Sequence, residues 1–328
     1  MRKAWAAVCV VAVSILAGVV LAVTLFPPAR CPEYRFVRSW GGSGSGHGEF
    51  HEAVGVAVAG DEIFVSDAGN HRIQVFDRNG RFLRHFGKPG GGVGELGRPM
   101  RLAIRAGKLF VAEYVNHRIQ VFSLAGQSLG VIGARGDAPG RFESPSGVAV
   151  GADGRIFVAD YLNQRVQVID ENDQPILQLG ETGKPGVCPG RFDHPSDAAV
   201  DGDGRLFVAD AYNNRVSVFD RAGRRLHSWG GAFAASIPGS GNGWFHGAVG
   251  VALGPKGNVF VADFYNNRIQ KFTPDGKFLV AFGRSGVADG QFDRPTDVAV
   301  AADGAVYVAD FGNNRVQQWL PAEPTAYD

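Results

Sequence analysis

GRFDHPSDAAVDGDGRLFVADAYNNRVSVFDRAGRRLHSWG, residues 190–230, recurs through the chain in altered form. Its fixed points are Gly-x-Phe, a Val-Ala-Asp ending and Asn-x-Arg. The acidic anchors are Asp67, Glu113, Asp160, Asp210, Asp263 and Asp310, and an arginine stands five residues after each: Arg72, Arg118, Arg165, Arg215, Arg268 and Arg315. Alternation and turn residues divide this copy into four short strands. Strand a is DAAVD, strand b LFVAD, strand c RVSVFD and strand d RLHSWG, with turns at GDGR, AYNN and RAG. Six copies at intervals of 46 to 53 residues predict an all-β fold. This is a six-bladed β-propeller of four-stranded antiparallel blades. Blades stack face to face, which accounts for strands such as IFVAD that are apolar on both sides.

At these residues the sequence resembles the NHL-repeat family over about residues 34–320. Leu96 stands in one copy where the others have Phe, and Glu113 where they have Asp. The resemblance implies a propeller that commonly has six blades and serves as a sensor or scaffold. RNA binding, implied by some animal relatives, is opposed by the charge balance. Beyond residue 30 the chain has 30 basic and 32 acidic side chains, not the basic excess of a nucleic-acid binder.

The sixth copy supplies strands a to c, ends in RVQQWL and lacks a strand d. YRFVRSWGG, residues 34–42, is a strand d with no unit of its own, so the N-terminal strand is expected to close the last blade. Before it, Arg2 and Lys3 precede an uncharged run from Ala4 to Phe26. As a helix this run would reach roughly 34 Å, enough to span a bilayer. FPPARC is a poor cleavage site, which favours an uncleaved anchor over a secretory signal. The expected division is therefore 1–30 cytoplasmic tip and membrane anchor, 31–320 propeller, and 321–328 tail, with everything after Phe26 exported. Strand d begins at the face carrying the a–b and c–d turns. That face should look toward the bilayer, and the face of d–a and b–c loops away from it. Cys31 and Cys188 fall on opposite faces and should not pair.

Candidate sites follow from loops held by a rigid scaffold. The acid–arginine pairs flank one hairpin six times over and suit a structural pin rather than a catalytic centre. The asparagines Asn70, Asn116, Asn163, Asn213, Asn266 and Asn313 suit left-handed turns. Two d–a loops are extended, GETGKPGVCPGRF and GGAFAASIPGSGNGWF, both beside blade four. The b–c loops carry Tyr114, Tyr161, Tyr212, Phe264, Tyr265 and Phe311, an aromatic rim suited to recognition. Asp197 and Asp297 are expected at the mouth of strand a, where the other blades are assigned Gly55, Leu102, Gly147 and Gly250. There they could attract a cation in the central channel. His47, His51, His194 and His246 fall in d–a segments, but a zinc site needs three convergent ligands. The related amidating lyases place zinc-binding histidines just after the proline that opens strand a. This chain has Val54, Met100, Ser146, Ser196, Val249 and Thr296 there.

No nucleophile elbow or phosphate loop occurs, so no catalytic, metal or cofactor residue is assigned. The expectation is a membrane-tethered, exported binding platform for a protein, peptide or glycan. The alternative is a propeller enzyme of lyase or lactonase type, acting at the channel mouth through Asp197, Asp297 and nearby histidines.

Overall fold

Short β-branched and aromatic runs between glycine turns fold as six separate four-stranded antiparallel sheets arranged in a ring. The computed structural model describes residues 33–231 and 236–322. In blade four the strands are Pro195–Val200, Leu206–Asp210, Arg215–Phe219 and Arg225–Trp229, innermost to outermost. In the sixth sheet Tyr34–Gly41 lies antiparallel to Arg315–Pro321, with Phe36 opposite Trp319, Trp40 opposite Val316 and a bulge at Val37. The expected span Ala4–Phe26 lies outside the described residues, as do Cys31 and residues 323–328. No helix among the described residues is long and apolar enough to cross a membrane.

One apolar cluster fills each interface between neighbouring blades, so six small cores replace a single large one. Strand b is buried along its length because it meets a blade on each side, as Leu206–Asp210 does. The Gly-x-Phe residue (Phe50, Leu96, Phe142, Phe192, Phe245, Phe292) is fully buried in every copy. Burying one such side chain contributes roughly 1.5–3 kcal/mol. The glycine that ends strand d makes room for it. At Gly283, φ is +84° and an added Cβ would stand 2.2 Å from the Phe292 ring, so neither the conformation nor the space admits a side chain.

The acid–arginine pairs fix the two loops of the outward face to one another. In blade four Asp210 is fully buried and accepts from Asp193 N at 2.7 Å, Asn213 Nδ2 at 2.8 Å and Arg215 Nε at 2.8 Å. Arg215 spends its remaining donors on Val187 O and Arg191 O in the preceding d–a loop. Burial pushes the Asp210 carboxyl up to about 6, with Arg215 opposing it. Charge-assisted bonds of this kind offset the cost of taking both charges out of water.

The turn chemistry differs from expectation by one residue. Asn213 latches the loops, bonding the acid and Gly186 O. The left-handed residue is the next one: His71, His117, Gln164, Asn214, Asn267 and Asn314, at φ between +49° and +61°. Each of these six side chains accepts a hydrogen bond from a backbone N–H of the following blade. The donors are Arg98, Ser144, His194, Gly247, Arg294 and, back at the start of the ring, Glu52. The ring is thus laced by six equivalent bonds, 2.6 to 3.2 Å long.

Candidate binding site on the outward face

A cavity of about 430 Å³ opens on the face formed by the b–c loops. Its walls include five of the six expected aromatics: Tyr114, Tyr161, Tyr212, Phe264 and Tyr265. The 3-10 turn Tyr161–Asn163 and the b–c turns of blades two, four and five bring these side chains to the mouth. Tyr114 and Tyr161 stand 6.2 Å apart, and His194 lies between Tyr161 and Tyr212 at 4.7 and 4.6 Å. Phe264 meets Tyr265 edge-on at 4.8 Å. Tyr212 and Tyr265 remain 56% and 53% exposed. Burial, and then a hydrogen bond with Tyr212, raise the Tyr161 phenol above its ordinary range. The sixth aromatic, Phe311, does not line the cavity; its ring carries the Arg294 guanidinium at 5.6 Å.

The two aspartates are not at this mouth. Asp197 and Asp297 are 4% exposed and line a separate funnel of about 250 Å³ on the other side of the axis. Their residue in blade two is also not Leu102. Pro99 faces Glu113 as Pro195 faces Asp210, so the counterpart of Asp197 is Arg101. The cation that these carboxylates attract belongs to the chain itself. Arg101, 4% exposed, puts Nε 3.7 Å from Asp197 Oδ2. It also donates to Ser196 O at 3.2 Å and Thr296 O at 2.9 Å. A count of two residues from the proline would have found it.

The six axial positions therefore read Gly55, Arg101, Gly147, Asp197, Gly250 and Asp297. A Cβ on Gly147 would meet the Asp197 Cα at 2.6 Å, and one on Gly250 would meet Thr296 O at 2.6 Å. Glycine in alternate blades makes room for a charged residue in the next. Bulges at the start of strand a turn these residues toward the axis. Asp197 accepts from Val251 N, and Asp297 from Val56 N and Val298 N. Burial drives Asp197 up to about 8 despite the pull of Arg101, with Asp297 adding to the rise; burial likewise takes Asp297 to about 6. Arg101 lines the outward cavity and the carboxylates line the funnel, so the centre is closed by a plug with its cation uppermost.

The histidines do not converge. His47 stacks on Phe82 at 4.5 Å, and His194 and His246 each pack against a tyrosine of the rim. No cluster of three potential metal ligands occurs among the described residues. Cys188 is exposed.

Sequence comparison matches the NHL repeat at residues 50–76, 142–169, 192–219, 245–272 and 292–319. The chain is an NHL-repeat β-propeller. The copy left unmatched is the one with Leu96 and Glu113. A segment of 63 residues is 48% identical to the B-box type zinc finger protein ncl-1 of Caenorhabditis elegans. This covers 18% of the chain and only 7% of that protein. Among solved structures, a protein of unknown function from Bacteroides thetaiotaomicron superposes with a TM-score of 0.66 at 16% identity, over 88% of this chain and 76% of its own. A streptogramin B lyase superposes at 0.60 and 14%, over 87% and 97%. The WD40 propeller of Doa1 superposes at 0.60 and 11%, over 89% and 98%. Likeness at this level reports the fold alone, and that fold hosts unrelated functions.

Proposed function

We propose that this NHL-repeat propeller is a binding platform that takes a protein, peptide or glycan in the aromatic-walled cavity of its outward face. The observation that carries the reading is the cavity itself. Tyrosines from blades two to five converge there over one concave surface, and large rings with a polar tip suit recognition. The two ends of the described residues meet at the opposite face, where Ala322 N donates to Glu33 O. An apolar N-terminal anchor would therefore hold the molecule with its cavity turned away from the membrane. The lyase or lactonase alternative draws less support, because Asp197 and Asp297 lie beneath Arg101 rather than at the cavity.

A thermal-shift screen of the full chain against peptides and glycans tests the proposal. A true ligand raises the melting temperature of the wild type and not of Tyr212→Ala with Tyr265→Ala. An equal shift in both would move the site off this face.

A further inference from the structure

A third cavity, of about 350 Å³, opens between blades two and three at the end carrying the a–b and c–d turns. Its cause is one residue. Opposite the strand c residues Val75, Val121, Val168, Val218, Lys271 and Gln318, strand d presents Arg84, Gly130, Leu177, His227, Val280 and Arg38. In the other five blades this position has a side chain. Three of these side chains reach the c–d turn of the next blade: Arg84 bonds Leu124 O, His227 lies 3.2 Å from Pro274 O, and Arg38 bonds Asn79. Leu177 and Val280 pack into apolar clusters. Gly130 leaves the place empty.

Blade one shows what fits there. The Arg84 guanidinium lies 5.8 Å from the Phe64 centroid and pairs with Glu62 at 2.6 Å. In blade two Phe110 takes the place of Phe64 and has no cation above it among the described residues, while Lys108 takes the place of Glu62. The facing c–d turn of blade three presents Glu171 and Asp173, and the near lip presents Arg105 and Lys108. None of these four side chains has an ion-pair or hydrogen-bond partner among the described residues. The outer strand, Ser128–Ile132, is a sheet edge with Leu129 and Val131 exposed, the kind of edge to which an extended peptide adds.

We propose that this groove docks an extended segment of a partner protein along the edge of Ser128–Ile132. The segment inserts an arginine across Gly130 into the groove toward Glu171 and Asp173, and an acidic residue two positions away faces the lip of Arg105 and Lys108. The partner thus supplies the wedge that Gly130 omits, in the manner of Arg84. The site is separate from the outward cavity and does not depend on it.

The probe is a fluorescein-labelled heptapeptide, Thr-Val-Glu-Val-Arg-Val-Thr, titrated by anisotropy onto the full chain. Saturable binding is expected. Gly130→Arg should fill the groove from within and weaken binding at least about tenfold, a loss on the scale of one charge-assisted contact. An added Cβ at Gly130 meets nothing within 4 Å, so this variant should melt with the wild type. Glu171→Gln with Asp173→Asn should weaken the same probe comparably, and a probe with Leu for Arg should bind as weakly to the wild type. The proposal is overturned if the arginine peptide fails to saturate. It is also overturned if either protein variant binds like the wild type, or if the leucine peptide binds as well as the arginine peptide.

Discussion

Around the rim, six acid–arginine pairs and six inter-blade bonds repeat the same chemistry in every blade. At the axis the equivalent positions alternate instead, with glycine in blades one, three and five and Arg101, Asp197 and Asp297 in the others. The rim repeats because every blade must solve the same problem, tying two loops to one hairpin and one blade to the next. The axis cannot repeat, because six side chains of that size do not fit in one ring and a single sign of charge would repel itself. A repeated feature in this molecule therefore reads as scaffold. Departures from the repeat, whether the axial triad, the aromatic arc of blades two to five or the gap at Gly130, mark what belongs to this chain.

The axis gives the sharpest test of that contrast. Above about pH 8, where both aspartates are ionised, Arg101→Met keeps the volume but leaves two buried carboxylates without their cation. Breaking a buried pair in this way costs about 3–5 kcal/mol, measured as a drop in denaturant midpoint. A loss below about 1 kcal/mol would mean that the triad is not the keystone of the axis.

Much of this architecture can be read from the residues. The Phe positions, the Val-Ala-Asp strands and the orphan front strand define blades and their order, and the aromatic rim follows from the loops after each acid. Arg101 is legible too, by its offset, for it stands two residues after Pro99 as Asp197 does after Pro195. Two features resisted reading for physical reasons. The inter-blade latch is filled by His, Gln and Asn in different copies. These share only an accepting lone pair and tolerance of left-handed backbone, which no residue-type pattern announces. The gap at Gly130 is invisible without register, since a glycine in an edge strand looks ordinary.

The axis should also carry a pH signature that the rim lacks at the same strength. Asp197 is held up to about 8 in the folded protein, against about 3.9 when unfolded. Between those values the native state keeps a proton that the unfolded chain has lost, so stability falls as pH rises from about 4 to about 8. One proton sets a slope of up to about 1.4 kcal/mol per pH unit. Asp197→Asn removes the titrating group and should flatten melting temperature against pH between 6 and 8. Asp297 and Asp210, each near 6, contribute to what slope remains at lower pH, together with Asp160, Asp263 and Asp310, which burial also raises. A wild-type slope that survives the substitution would place the proton elsewhere.

The smallest effect tests whether the rim is as uniform as its bonds suggest. Asn214→Ala removes the acceptor for Gly247 N, a latch between consecutive blades, whereas Asn314→Ala removes the acceptor for Glu52 N, a latch between the last blade and the first. Each leaves one backbone donor unmet, which costs about 1–3 kcal/mol where the group stays buried. The Gly247 bond is buried and the Glu52 bond partly so, which puts Asn214→Ala toward the upper end. Local burial alone then orders the two losses. If Asn314→Ala instead costs clearly more, the seam between the last blade and the first is the weak point of the ring, and its six latches are not interchangeable.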